Sequence, residues 1–156
     1  MNITYDIDKY NNKNIYFLET KQNMLMEGKF TKLLFSDNIL TTIGVFLNLH
    51  FINSNIFQIN KKHILKFEKN DTNIKLINHL VNIEKSIIQY YKHLNSCNKE
   101  PNYLLHNTLM NGSIKLYMKQ NIQLSNVKYI IKISGVWENE DQVGITYKFL
   151  EINNLY

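Results

Sequence analysis

Arginine and alanine are absent from this chain of 156 residues, and cysteine and tryptophan occur once each. Without arginine there are no bidentate guanidinium contacts to phosphate and no guanidinium stacking, so any anion recognition rests on lysine and is sensitive to salt. A lone Cys97 excludes an intramolecular disulfide and points to a reducing compartment. The opening stretch MNITYDIDKYNNKN lacks a basic segment followed by an apolar run, so no signal peptide is expected. The apolar stretches are broken by Asn, Gln, His or Lys well before the ~20 residues of a membrane span. A soluble, intracellular protein with no membrane partner is the expectation.

Recognisable catalytic machinery is missing too. His50, His63, His79, His93 and His106 contain no pair at three- or four-residue spacing, so no metal site is expected. Neither a glycine-rich phosphate loop, nor G-x-S-x-G, nor H-E-x-x-H, nor a paired-carboxylate motif occurs. Asp37 and Glu138 are lone carboxylates in turns, where a solvated or capping role is the ordinary one. A non-enzymatic protein without cofactors follows from the lack of a constellation.

What is present is a biased alphabet: 24 Asn, 21 Ile and 18 Lys. An AT-rich genome enforces such usage, so part of the lysine content follows from codons. With 44% hydrophobic and 20% charged residues the composition is that of one globular domain. Residues 1–14 are polar and read as a flexible arm, leaving 15–156 as the domain. The formal charge of +5 is unevenly spread. Lys29, Lys32, Lys61, Lys62, Lys66 and Lys69 face only Asp37 and Glu68 over residues 29–70. Lys115, Lys119, Lys128 and Lys132 occupy 101–135 with no acid, before Glu138, Glu140 and Asp141 reverse the sign. That layout fits a polyanion site on one face, and equally a solvated lysine surface.

Hydrophobic periodicity predicts strands from Ile15, at Met24–Met26, over Gly28–Ser36, over Ile39–Ile52 as one bent strand or two short ones, over His63–Glu68 and over Ser113–Met118. A helix is expected over about 72–95, capped near Asp71 and Thr72, with Ile74, Ile77, Val81, Glu84, Ile87, Ile88, Tyr91 and Leu94 near one face. Leu104–Met110 reads as a short second helix. Residues 127–152, VKYIIKISGVWENEDQVGITYKFLEI, read as a terminal hairpin turning at Asn139–Gln142, with Gly135 and Gly144 marking a bulge or close approach. Alternation groups Tyr129, Ile131, Ile133, Gly135 and Trp137 on the better core face. The fold class is therefore mostly β (α+β): an antiparallel barrel of five to seven strands, of the oligonucleotide-binding (OB) kind, with one central amphipathic helix.

Such a sheet holds a single strand with lysines along the phosphates and rings against the bases. The candidates are Lys29, Lys32, Phe35, Phe46, Lys66, Lys115, Tyr117, Lys128, Lys132, Trp137, Tyr147 and Lys148; each aromatic has a core-packing reading beside the stacking one. The segment KISGVWENEDQVGITYKF resembles the small single-stranded-DNA-binding proteins of nucleocytoplasmic large DNA viruses: an apolar strand ending S-G-[apolar]-W-E, a polar turn, then G-[apolar]-T-Y-K-F. A fainter similarity covers Phe30–Asn48 and Ile83–Tyr91. The resemblance implies an OB barrel that coats single-stranded DNA in viral replication or repair, in host cytoplasm or a viral factory, with Trp137, Tyr147 and Lys148 in the family hairpin. Replication proteins or a second copy remain open as partners. A structural or adaptor protein of the virion or replication complex is the alternative.

Overall fold

A computed structural model describes residues 3–60, 62–117 and 127–153. Lys61, Met118 and Lys119 lie outside the described residues. The architecture is β-rich α+β. Its strands are β1 (Ile15–Gln22), β2 (Lys29–Ser36), β3 (Thr41–Ile43), β4 (Val45–Leu49), β5 (Ser54–Ile59), β6 (Lys62–Phe67), β7 (Glu100–Pro101), β8 (Ser113–Tyr117), β9 (Val127–Glu138) and β10 (Gln142–Asn153). Helix α1 (Asp71–Leu94) lies between β6 and β7, and α2 (Leu104–Met110) between β7 and β8.

All ten strands belong to one sheet, ordered β1-β2-β9-β10-β8-β6-β5, with β3 on β2, β4 on β9 and β7 on β10. Among the described residues β1 and β5 end this path unpaired with each other, so the sheet is open. It is also mixed, because β10 runs parallel to β7 and β8. The reason is topological: β9 and β10 pair antiparallel, and β10 rather than β9 lies beside β8.

Strand β9 sets the shape. Along one edge it pairs first with β4, Leu49 to Val45 against Tyr129 to Ile133, and then with β2, Lys32 to Lys29 against Gly135 to Glu138. Of the two expectations for Ile39–Ile52, the second holds: two short strands, β3 and β4, pass from β2 to β9. Gly44 makes that crossing at φ +93°, where a Cβ would sit 2.8 Å from the Ile133 carbonyl oxygen. Opposite, the β9–β10 register slips: Thr146 faces Gly135 but Tyr147 faces Ile133, leaving Ser134 as the extra residue of a bulge. This bulge corrects the expected core face. Ile131 and Ile133 stay inside, Val136 replaces Trp137 on that face, and Trp137 turns to the other.

The core lies between the sheet and α1, where Leu33, Phe35, Leu47, Ile133 and Phe149 meet Leu80, Ile87, Ile88 and Tyr91. Each such aliphatic side chain contributes about 1.5–3 kcal/mol on burial. The helix begins at Asn70, whose side chain accepts the Asn73 N–H at 2.9 Å. Buried Asn73 donates to the carbonyls of Ile52 and Glu68 at 2.8 and 2.7 Å, tying the chain before β5 to the helix start. Ile74 and Leu94 of the expected stripe are exposed, while Leu80 and Ile83 are buried in their stead. Glu84 belongs inside for a definite reason. Its two carboxylate oxygens accept the N–H groups of Leu105 and His106, each at 2.9 Å, and so cap α2 from the side.

Two further expectations change, and one strand was not expected. The segment before β1 is docked rather than loose: Tyr5 bridges to Leu47, and the rings of Tyr5 and Tyr10 lie 4.8 and 6.0 Å from that of Phe35. Met24–Met26 is not a strand but the tip of the β1–β2 turn, closed by the Asn23 N–H on the Gly28 carbonyl. Strand β5 was hidden by its asparagines and weak alternation; it pairs with β6 across its whole length.

Candidate nucleic-acid interface

Pairing registers place side chains on two faces of the sheet. The face toward α1 carries the core. On the outer face, Phe46 of β4 stands opposite Lys132 of β9, and Lys132 opposite Lys148 of β10. One step back from the Phe149–Leu116 pair, Lys148 neighbours Lys115 of β8. Lys115 faces Ile64 of β6, which faces Phe57 of β5. A row of Phe57, Ile64, Lys115, Lys148, Lys132 and Phe46 therefore crosses six strands. Three adjacent lysines without a carboxylate in the row repel one another, and like charges placed directly opposite on a sheet are destabilising.

Aromatic rings partly relieve this repulsion. The ammonium of Lys132 lies 5.2 Å from the Phe46 ring, and those of Lys115 and Lys148 lie 4.9 and 5.7 Å from the Tyr117 ring. Lys66 sits 5.1 Å from Phe57 on the same face. Tyr117 and Phe57 are 49% and 45% exposed, so their rings remain open to a ligand.

Beside the row lies a cleft of about 960 Å³ that reaches from the β1–β2 tip to β8. Trp137 and Phe30, cross-strand neighbours, form part of its wall. A Cβ on Gly144 would come within 2.7 Å of the Trp137 ring, and one on Gly135 within 2.7 Å of the Phe30 ring, so both glycines let a ring lie down on the sheet. The Trp137 indole N–H donates to the Ile145 carbonyl at 3.2 Å, and the side chain is 7% exposed.

Of the twelve candidates, Lys32, Lys115, Tyr117, Trp137, Tyr147 and Lys148 line this cleft. Phe46 and Lys132 continue the row, Lys66 extends it, and Lys128 stands exposed toward the far end of β9 on the same face. Phe35 is a correction: it is fully buried against Tyr5 and Tyr10 and presents no ring to a ligand. Lys29 is another, since it shares the α1-side face with Glu138, its ammonium 3.7 Å from that carboxylate. Both errors are of parity. Lys29 and Lys32 stand three apart, so a two-residue period cannot put them on one face, and Phe35 shares the parity of Lys29. Tyr147 acts as an anchor, its hydroxyl on Thr108 Oγ1 at 2.8 Å and on the Leu104 carbonyl at 3.2 Å. Burial raises its pKa.

Residues overlooked in sequence are Phe30, Phe57, Lys21 and the Met24–Met26 tip. Phe30 was findable from its parity with Lys32, whereas the tip, though next in sequence to Lys21 and Phe30, meets the β8 and β10 residues of the cleft only in the fold. The carboxylates near the site are engaged elsewhere. Glu138 lies 3.7 and 3.9 Å from the ammonium groups of Lys29 and Lys99 and accepts the Tyr91 hydroxyl at 3.4 Å. Asp37 caps its own turn through the N–H groups of Ile39 and Leu40 at 2.8 and 2.9 Å; the Leu40 and Ile39 bonds hold its carboxyl below the usual range. Among the described residues no three His, Cys, Asp or Glu side chains converge, and no helix is long and apolar enough to cross a membrane. No protein family, curated protein or solved structure matches this chain.

Proposed function

We propose that this protein binds single-stranded nucleic acid, without catalysis, on the outer face of its sheet. The observation that carries the reading is the cross-strand row of Lys115, Lys148 and Lys132, which no carboxylate in the row neutralises and which is flanked by the rings of Tyr117 and Phe46. A like-charged row lowers stability when empty and is neutralised by phosphates when occupied. Tyr117, Phe46 and Phe57 then supply flat surfaces against which unpaired bases stack, roughly 1–3 kcal/mol for each base. In this reading the coiled sheet serves as an OB-like platform, and what supports a role in DNA replication or repair of a large DNA virus with an AT-rich genome is the resemblance carried by the β9–β10 hairpin.

Anisotropy of a labelled oligothymidine, titrated at low and at high salt, tests this directly. Micromolar or tighter binding at low salt that weakens steeply with added salt is expected. Absence of binding at low salt would remove the proposal.

A further inference from the structure

We infer that the cleft beside the lysine row admits nucleobases of the bound strand, held under the β1–β2 hairpin tip by Met24 and Leu25. The inference rests on the strand-binding reading and adds where the bases go. Among the described residues four lysines line the cleft, Lys21, Lys32, Lys115 and Lys148, and no aspartate or glutamate does. Between them the walls are largely apolar, with Phe30 and Trp137 laid against the sheet. A matching occupant carries several negative charges and flat, weakly polar bodies together. A nucleotide chain has that chemistry.

Two details narrow the fit. The Asn102 amide donates to the Gln142 side chain at 2.9 Å, and both line the cleft, so side-chain amides stand where base edges need donors and acceptors. At the opposite wall, Met24 and Leu25 are 91% and 97% exposed although they border the cleft. They pack on almost nothing of their own chain. Flexible, polarisable methionine and leucine side chains at that place are suited to close over rings of varying shape. The cleft is at the upper end of the roughly 300–1,000 Å³ found for compact ligands, with room for more than one base.

Trp137 is the only tryptophan, so its emission reports cleft occupancy. The full chain is titrated with labelled oligothymidine while label anisotropy and tryptophan emission are followed together, for wild type and for Met24→Ser/Leu25→Ser. The exposure of both side chains leaves the fold of the double variant intact. Quenching of Trp137 along the anisotropy isotherm is expected, with binding by the variant weakened roughly tenfold at an unchanged salt slope, since the substitutions remove apolar surface and leave every phosphate-binding lysine in place. Binding without any change in Trp137 emission, at wild-type affinity in the variant, would overturn the inference and leave strand binding on the outer face intact. Absence of an anisotropy change at low salt would sink both. Quenching by oleate and not by oligothymidine would overturn both in favour of an apolar acid as occupant.

Discussion

Trp137 is held by its indole N–H on the Ile145 carbonyl and by the close seat of its ring on Gly144. Trp137→Ala therefore lowers stability by about 3–5 kcal/mol in urea unfolding, and loss of oligonucleotide binding in that variant would not by itself assign the ring to stacking. Glu84 is the sharpest structural residue. A glutamine there has one oxygen for two N–H donors and turns an NH₂ group toward the other, so Glu84→Gln is expected to cost about 1–3 kcal/mol in the same assay. Glu151 behaves differently. It is 6% exposed, and among the described residues neither of its oxygens has a hydrogen-bond partner. Burial pushes its carboxyl up, with a smaller opposing pull from His63. A carboxyl with a raised folded pKa holds its proton more tightly in the native state. Its contribution to stability is fullest below the ordinary value of 4.5 and falls as pH rises through the folded value. Glu151→Gln should flatten that fall and raise Tm by about 2–4 °C at neutral pH, for roughly 1 kcal/mol gained, as read by thermal melts from pH 4 upward.

Among the elements, the β9–β10 hairpin was legible as two strands with an acidic turn, because β-branched and aromatic residues fill both arms. Its bulge was legible only as a glycine. Which residue is extra depends on pairing with β10 and β2, and that choice moved Trp137 off the core face. Gly135→Ala tests this close approach: the added methyl would overlap the Thr31 carbonyl and meet the Phe30 ring, and a loss of about 1–3 kcal/mol is expected by denaturant unfolding. Helix α1 was readable from its period, although its N-cap is Asn70 and not the expected Asp71 or Thr72, and even Glu84 fell on the buried face. Its partner in α2 was not readable, since twenty residues separate the carboxylate from the backbone it caps. Strand β5 stayed hidden for another reason: its partner β6 follows directly, but its own polar residues and weak alternation carry little strand signal. A strand with polar residues is recognised by its pairing, and the pairing is a tertiary fact.

For the whole molecule, sequence showed that lysines are unevenly spread and could not show that three of them stand side by side. Lys115, Lys132 and Lys148 are far apart in the chain, and the parallel placement of β10 beside β8 completes the row. A biased alphabet alone would raise the abundance of lysine; it would not set lysines in adjacent cross-strand positions with no acid between them. If the row is an anion track, removing its charges has opposite effects on the free and bound protein. Lys132→Gln and Lys148→Gln should each raise Tm slightly at low salt by relieving repulsion, while weakening oligonucleotide binding. The most direct measurement is the slope of log K against log salt for oligothymidine, compared between wild type and the Lys132→Gln/Lys148→Gln double variant. The row predicts a slope smaller in magnitude by about 1.4 in the variant, roughly 0.7 for each phosphate of a single strand that is no longer neutralised. An unchanged slope, with the variant bound as tightly as wild type, would contradict the placement of the strand on this face.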